Sequence, residues 1–589
     1  MKATDFTNHS DVLAILQDLK QHFANDPLII SDIIDNAGRQ YVDLVQEGGG
    51  VWGVALLGYT YILEEMGIRF ASMAGTSAGA INTLLLAAAA EPAENRTKKV
   101  LAEMANKNLF DFVDGNWFSR QTISAMVREE PKLLLLFRLL FNLRRIFKRL
   151  GLNPGNAFKE WLSTTIHSYG VQTTADLKAK MNSFPENVYH RITGKSDPDL
   201  VKAGVAFIAA EIETGSKVRF PYAASLFFPN SDQANPAEFV RASMSIPLFF
   251  EPVIIPKAAL PANSDAAWRQ LGHLGKAPSR AILVDGGILS NFPIDVFHRQ
   301  GHIPRRPTLG VKLSPRSKKR NAKKKAAVRL KLFSFLGGNF SAARHLRDQE
   351  FIFSHPDYQY LVSEIDVGNH KWMNFALEDS GKLDLFLRGA QAAKSFLLSF
   401  DWEAYKIRRA ELLWEDIQVR RAGIENATGK VGEVLRKAMA TRAIPLNDSQ
   451  EKVLLQRIQH IEPSAAPFSI LWIDDQSDRN KRESSLIQEL GDQVKITFVE
   501  SSELAESLLL QNEYQLIISD IRRGDQPNEG LLCHQRILAA GTAVPIIFYI
   551  NNYDPKKGVP SHAFGITNSP EELLHLVMDI MSRKGHIRI

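Results

Sequence analysis

Three short stretches hold residues whose types and order suit acyl transfer. Ser77 lies in GTSAG (75–79), between an apolar run and a helix-compatible run. On a sharp strand-to-helix turn a serine presents its Oγ, and the small neighbours Gly75 and Gly79 permit such a turn. The following helix points its positive end at the same place. A five-residue pattern of this kind is also compatible with an ordinary turn. A serine hydroxyl is a weak nucleophile and needs a base. Asp285 ends the apolar run AILVD and is followed by Gly286 and Gly287. Taken alone, an Asp-Gly pair reads as a turn.

The third stretch, VQEGGGVWG (45–53), sets Gly48, Gly50 and Gly53 in a G-x-G-x-x-G pattern after an apolar run. Two chemistries fit. One is a dinucleotide-binding turn, which calls for an acidic residue about 20 residues further on, at the end of the second strand. That strand ends in SMAGTSAG, which offers no acid. The other is an oxyanion hole, in which backbone N–H groups face the charge of a tetrahedral intermediate. Glycines at a helix N-terminus present those groups without side-chain obstruction. The second reading is preferred.

Together the three stretches resemble the patatin-like phospholipase family in motif order and spacing, over about residues 41–400. ASMSIPLFFEPV (242–253) and the SNFP after the aspartate are lesser echoes. The resemblance implies a Ser77–Asp285 dyad without histidine, with Ser77 as nucleophile and Asp285 as general base and acid. It implies an oxyanion hole from the backbone N–H groups of Gly49, Gly50 and Val51. It implies a phospholipase A or lysophospholipase type of lipid acyl hydrolase that needs no cofactor for hydrolysis. One departure stands out: Trp52 occupies a position where the family usually has Arg or Lys. Two alternatives stay open. A Ser–His–Asp esterase would draw on His298, His302, His345, His355 or His370, which all follow Asp285. A catalytically silent, membrane-associated signalling scaffold would keep the folds without the reaction.

The elements that must position these residues follow an α/β pattern. YVDLVQE (41–47) and IRFASMAG (68–75) read as buried strands, and 52–67 and 77–90 as the helices after them. The fold class is α/β: a patatin-like α/β/α layered hydrolase domain and a C-terminal flavodoxin-like, doubly wound α/β domain. The expected divisions are a helical extension over 1–40, the hydrolase domain over 41–400, a helical connector over 401–466 and a last domain over 467–589.

In that last domain, ILWIDDQ and LIISDIRRGD place Asp474, Asp475 and Asp520 at strand ends. Three acids at the carboxyl edge of a parallel sheet can hold Mg²⁺. Residues 467–585 resemble a response-regulator receiver, which implies Asp520 as phosphoacceptor and Asp474 and Asp475 as metal ligands. Ile550 stands where the switch Thr or Ser is expected, and Ser569 where the Lys before Pro570 is expected. The reading is therefore a degenerate receiver that controls the hydrolase or binds a regulatory protein.

Composition bounds the setting. The single cysteine, Cys533, excludes a disulfide within the chain. The first 20 residues lack the apolar core of a signal peptide, and no apolar run is long enough to span a bilayer. The expectation is a cytoplasmic protein that associates peripherally with membranes. Basic residues are clustered: PKLLLLFRLLFNLRRIFKRLG (131–151) contains no acid, and 316–331 carries nine Lys or Arg. Both suit an anionic membrane surface. No nucleic-acid-binding motif accompanies them, so no nucleic-acid partner is expected.

Overall fold

The computed structural model describes residues 1–127, 146–196, 202–297 (except 262–264, 270, 272 and 274), 304–315, 356–409 (except 407) and 467–583 (except 491–493, 541–543, 552–559 and 561–562). The chain divides into two units. The first comprises 1–262, 278–297 and 305–402, and the second 263–277, 298–304 and 403–589.

The first unit is built on a mixed sheet. Its strands are β1 (Ile33–Asp35), β2 (Gln40–Gln46), β3 (Ile68–Thr76), β5 (Val188–His190), β6 (Val205–Glu211), β7 (Ser216–Phe220), β9 (Val253–Pro256), β10 (Arg280–Asp285), β11 (Thr308–Ser314) and β12 (Val362–Asp366). A separate pair joins β4 (Gly151–Asn153) to β8 (Leu248–Phe250). The main path runs β12-β11-β2-β3-β6-β10-β9, with β1, β5 and β7 attached beside it. From β12 to β6 the pairs are parallel. β10 runs antiparallel to both β6 and β9.

Parallel strands need both faces covered, so they read as continuous apolar runs. β3 is buried along its whole length, and β2 everywhere but its first residue. The Gly53–Glu65 and Ala78–Ala89 helices after them are apolar on nearly every side and correspondingly buried. Within residues 1–40, the helices Ala3–Thr7 and Ser10–His22 are followed by β1, whose β-branched Ile33 and Ile34 suit a strand.

The Gly53–Glu65 helix crosses the long Asp379–Ser399 helix at backbone contact distance. A Cβ on Gly58 would stand 1.9 Å from the Phe386 carbonyl oxygen, and one on Gly389 would stand 1.8 Å from that of Ala55. No side chain fits between them.

The second unit holds a five-stranded parallel sheet. Its strands are β13 (Phe468–Ile473), β14 (Val494–Val499), β15 (Leu516–Ser519), β16 (Ile546–Tyr549) and β17 (Gly565–Thr567). Their order is β14-β13-β15-β16-β17. Counted within the unit this is 2-1-3-4-5, the flavodoxin-like order found in receivers. Residues 263–277, expected in the first domain, belong to this unit. There Trp268 and Leu271 are buried, Arg269 pairs with Glu489 at 2.8 Å, and His273 Nδ1 lies 2.9 Å from Glu571. Most of the expected connector, from residue 410 to 466, lies outside the described residues, as does the basic stretch 316–331.

Gly389→Ala is expected to force the two crossing helices apart and to destabilise the first unit by about 1–3 kcal/mol, the usual range for overpacking. Denaturant unfolding of the full chain measures it.

Candidate active site

Ser77 sits where β3 turns into the Ala78–Ala89 helix, with backbone angles φ 52° and ψ −116°. A positive φ at a residue with a Cβ is strained and persists only when the surroundings impose it. Two contacts supply that constraint here. The Ser77 N–H donates to Ser243 Oγ at 3.0 Å, and Ser243 Oγ in turn donates to the Ile208 carbonyl at 2.5 Å. Gly79 lies against β2, where a Cβ would stand 2.2 Å from the Gln46 carbonyl oxygen.

The register of β6 brings Asp285 to the same place. β7 occupies one edge of β6 across Phe207–Glu211. The other edge is shared. β3 pairs there up to Thr76 opposite Ile208, and β10 pairs from Leu283 to Asp285 opposite Glu211 to Ala209. The two strands approach head-on and stop at adjacent positions, about 3.4 Å apart along β6. Ser77 is the next residue after Thr76, so it leaves the sheet beside Asp285. The segment that steadies Ser77 also steadies Asp285, whose N–H donates to the Ser245 carbonyl at 2.9 Å. Asp285 is buried, and its Oδ1 accepts the Gly287 N–H at 2.7 Å. Gly286 and Gly287 begin the short turn that carries the chain away.

The glycine loop lies against the same turn. A Cβ on Gly48 would be 3.1 Å from Ser77 Cβ, and one on Gly53 would be 3.2 Å from Ala78 Cβ. Asn291 holds the start of the loop. Its Nδ2 donates to Glu47 Oε1 at 3.0 Å and to the Gly48 carbonyl at 3.1 Å, and its own carbonyl accepts the Gly48 N–H at 3.1 Å. Val51, expected as a third oxyanion donor, is committed elsewhere: its N–H donates to the Trp372 carbonyl at 2.9 Å. Gly49 and Gly50 are the donors that remain of the expected three.

An opening reaches Ser77. Its walls are apolar, with Met244, Ile246, Phe375, Phe158 and Trp161 among them. Phe112, also on the wall, packs against Phe158 and Trp161 at ring-centroid distances of 5.2 and 5.1 Å. Such an apolar lining suits an apolar ligand such as an acyl chain. Of the alternative histidines, His298, His302, His345 and His355 lie outside the described residues. His370 Nε2 is paired with Asp384 at 2.7 Å.

In the second unit Asp474, Asp475 and Asp520 converge, with one oxygen from each within 4.8 Å of the others. Asp474 accepts from Gln476 N–H and Asn480 Nδ2, each at 2.7 Å, and Asp475 accepts from Gly524 N–H at 2.7 Å. Burial, reinforced by the charges of Asp474 and Asp475, pushes the Asp520 carboxyl above its ordinary range. Ser569, at the expected lysine position, begins the last helix, with its carbonyl accepting the Leu573 N–H at 2.9 Å. Ile550 N–H donates to the Thr567 carbonyl at 3.0 Å.

Residues 44–298 match the family model for patatin-like phospholipase, and the chain carries a patatin-like phospholipase domain. An uncharacterised protein of Bacillus subtilis strain 168, YqhO, is 29% identical over 357 residues, covering 61% of this chain and 98% of its own. Among solved structures, VipD from Legionella pneumophila is 13% identical with a TM-score of 0.31, covering 75% of this chain and 89% of its own. The response regulator PhyR from Brucella abortus is 16% identical with a TM-score of 0.17, covering 29% of this chain and 82% of its own. The receiver-like character of the second unit rests on its strand order and acidic cluster.

Two expectations follow. Ser243→Ala leaves the buried Ser77 N–H without its acceptor, at a cost of about 1–3 kcal/mol, measurable by denaturant unfolding. For Asp520, a raised carboxyl means that the folded chain holds the proton more tightly than the unfolded chain. Stability from this group is therefore greatest at low pH and falls as pH rises through the folded value. Asp520→Asn is expected to raise the thermal midpoint of the second unit at pH 7, with the gain vanishing below about pH 4, the ordinary aspartate range.

Proposed function

We propose that the chain is a lipid acyl hydrolase that cleaves acyl esters through Ser77 and Asp285. The observation that carries this reading is the head-on approach of β3 and β10 along one edge of β6, which sets Ser77 beside Asp285. The apolar opening at Ser77 and the patatin-like family match support an acyl-lipid substrate.

The chemistry runs in two halves. Ser77 Oγ attacks the ester carbonyl carbon as Asp285 takes its proton. The carbonyl oxygen becomes an oxyanion facing the Gly49 and Gly50 N–H groups. The bond to the alcohol breaks, Asp285 returns the proton to the leaving oxygen, and an acyl-serine remains. Water then attacks that ester, giving up its proton to Asp285, and the fatty acid leaves as Ser77 recovers the proton. An aspartate is a weak base in water, and Asp285 is buried where Ser77 leaves the sheet.

Peripheral docking on an anionic membrane would bring the site to its substrate. Of the basic stretch 131–151, residues 131–145 lie outside the described residues, and its described end supports this: Phe147 is 79% exposed, and Lys148 and Arg149 are exposed beside it. An aromatic flanked by cations suits the head-group layer. In the second unit, Asp474, Asp475 and Asp520 would hold Mg²⁺. Hard carboxylate oxygens suit that ion, and its charge would offset the mutual repulsion of the three carboxylates.

The second unit is proposed to control the hydrolase. Residues 263–277 belong to that unit, and chain continuity leads from them into β10 and Asp285. A shift of this segment has a short covalent route to the base.

Fatty-acid release from mixed phospholipid vesicles tests the reaction. Ser77→Ala and Asp285→Ala are each expected to lower release by at least about 10³-fold, as losses of such groups do in serine hydrolases. Release unaffected by either variant contradicts the dyad. For control, Arg269→Ala combined with His273→Ala in the full chain is expected to change kcat by about 2- to 5-fold, the scale of surface ion pairs. An unchanged kcat contradicts control through this segment.

A further inference from the structure

We propose that residues 370–375 form a strap that positions the glycine loop for oxyanion binding, with Trp52 as the positioning residue that ties loop to strap. The proposal deepens the hydrolase reading and rests on it.

Two hydrogen bonds join the loop to the strap. Trp52 Nε1–H donates to the His370 carbonyl at 2.9 Å, and the Val51 N–H donates to the Trp372 carbonyl at 2.9 Å. The approach is close enough to dictate the residue at position 50. Gly50 has φ 57°, and a Cβ there would stand 2.2 Å from the Trp372 carbonyl oxygen. The strap is itself anchored. His370 Nε2 pairs with Asp384 at 2.7 Å, and Arg388 Nε donates to the same carboxylate at 2.7 Å. Arg388 Nη1 also donates to the Asp366 carbonyl at 3.2 Å, at the end of β12. At its far end the strap contributes Phe375 to the apolar opening, where the ring stacks on Phe249 at 4.9 Å.

The consequence is directional. A glycine loop is conformationally free, and its N–H groups can turn toward several targets. Carbonyl acceptors on the strap take the Val51 N–H and the neighbouring indole N–H, which fixes the rotation of the peptide units between Gly49 and Trp52. Fixed donors stabilise an oxyanion without reorganising during the reaction, and this is where their catalytic value lies. Trp52 suits the task because a rigid indole carries its one donor at the end of an apolar plate. The plate packs on the loop, with Trp52 Cε3 3.3 Å from where a Gly49 Cβ would stand.

Trp52→Phe in the full chain removes the N–H and keeps an aromatic ring. Hydrolysis of a medium-chain p-nitrophenyl ester is expected to lose about 10- to 100-fold in kcat with KM changed less than about twofold, the pattern of an interaction made mainly in the transition state. Asp384→Asn, which loosens the strap from the other side, is expected to lower kcat in the same manner but less. Amide hydrogen exchange in the peptide spanning 46–53 is expected to speed up in both variants, and this readout does not depend on turnover. Unchanged kcat in Trp52→Phe, or unchanged exchange in the loop, overturns the positioning role. A native chain that hydrolyses no ester overturns the hydrolase reading, and with it the catalytic meaning of the strap.

Discussion

One edge of β6 has to serve two strands, and the site follows from how it does so. β3 arrives parallel and stops opposite Ile208, while β10 arrives antiparallel and stops opposite Ala209. Neither can continue without running into the other. β3 escapes through the positive-φ turn at Ser77, and β10 through the turn that starts at Gly286. Ending two strands against each other leaves the Ile208 carbonyl to be satisfied by the Ser243 hydroxyl, and that same hydroxyl accepts the Ser77 N–H. Strain at Ser77, burial of Asp285 and satisfaction of the backbone polar groups are thus one arrangement.

The remaining parts complete this junction. β2, next to β3, delivers the glycine loop over Ser77, and the Gly48 carbonyl is pinned by Asn291 from the segment that follows Asp285. The Ser243–Ser245 segment contacts the backbones of both Ser77 and Asp285 and leads through Met244 and Ile246 into the wall of the apolar opening. The apolar opening, Ser77 and Asp285 therefore share a single backbone segment, which keeps their separation stiff.

Much of this was legible in the sequence, for identifiable reasons. Ser77, Asp285 and the glycines were readable because sharp turns and close backbone approaches restrict residue type at fixed local spacing. The apolar runs marked β2 and β3 because strands buried on both faces leave little choice. In the second unit, acids at the ends of β13 and β15 were readable for the same local reason. The fate of the Val51 N–H was not legible, because its acceptor is a backbone carbonyl far along the chain and carbonyls carry no residue signature. Ser243 lay inside a stretch already noted for its likeness, yet a serine hydroxyl bridging two backbones has no pattern of its own. The assignment of 263–277 to the second unit also escaped, since burial of Trp268 depends on a fold whose strands begin some 200 residues later.

The central claim is that Ser77 is a nucleophile whose proton is taken by Asp285. The most direct measurement treats the full chain with a long-chain alkyl fluorophosphonate and locates the adduct by peptide mass spectrometry. The account predicts one adduct per chain, on Ser77, and its loss in Asp285→Asn. An adduct on a different serine, no adduct at all, or labelling of Ser77 at an undiminished rate in Asp285→Asn would contradict it.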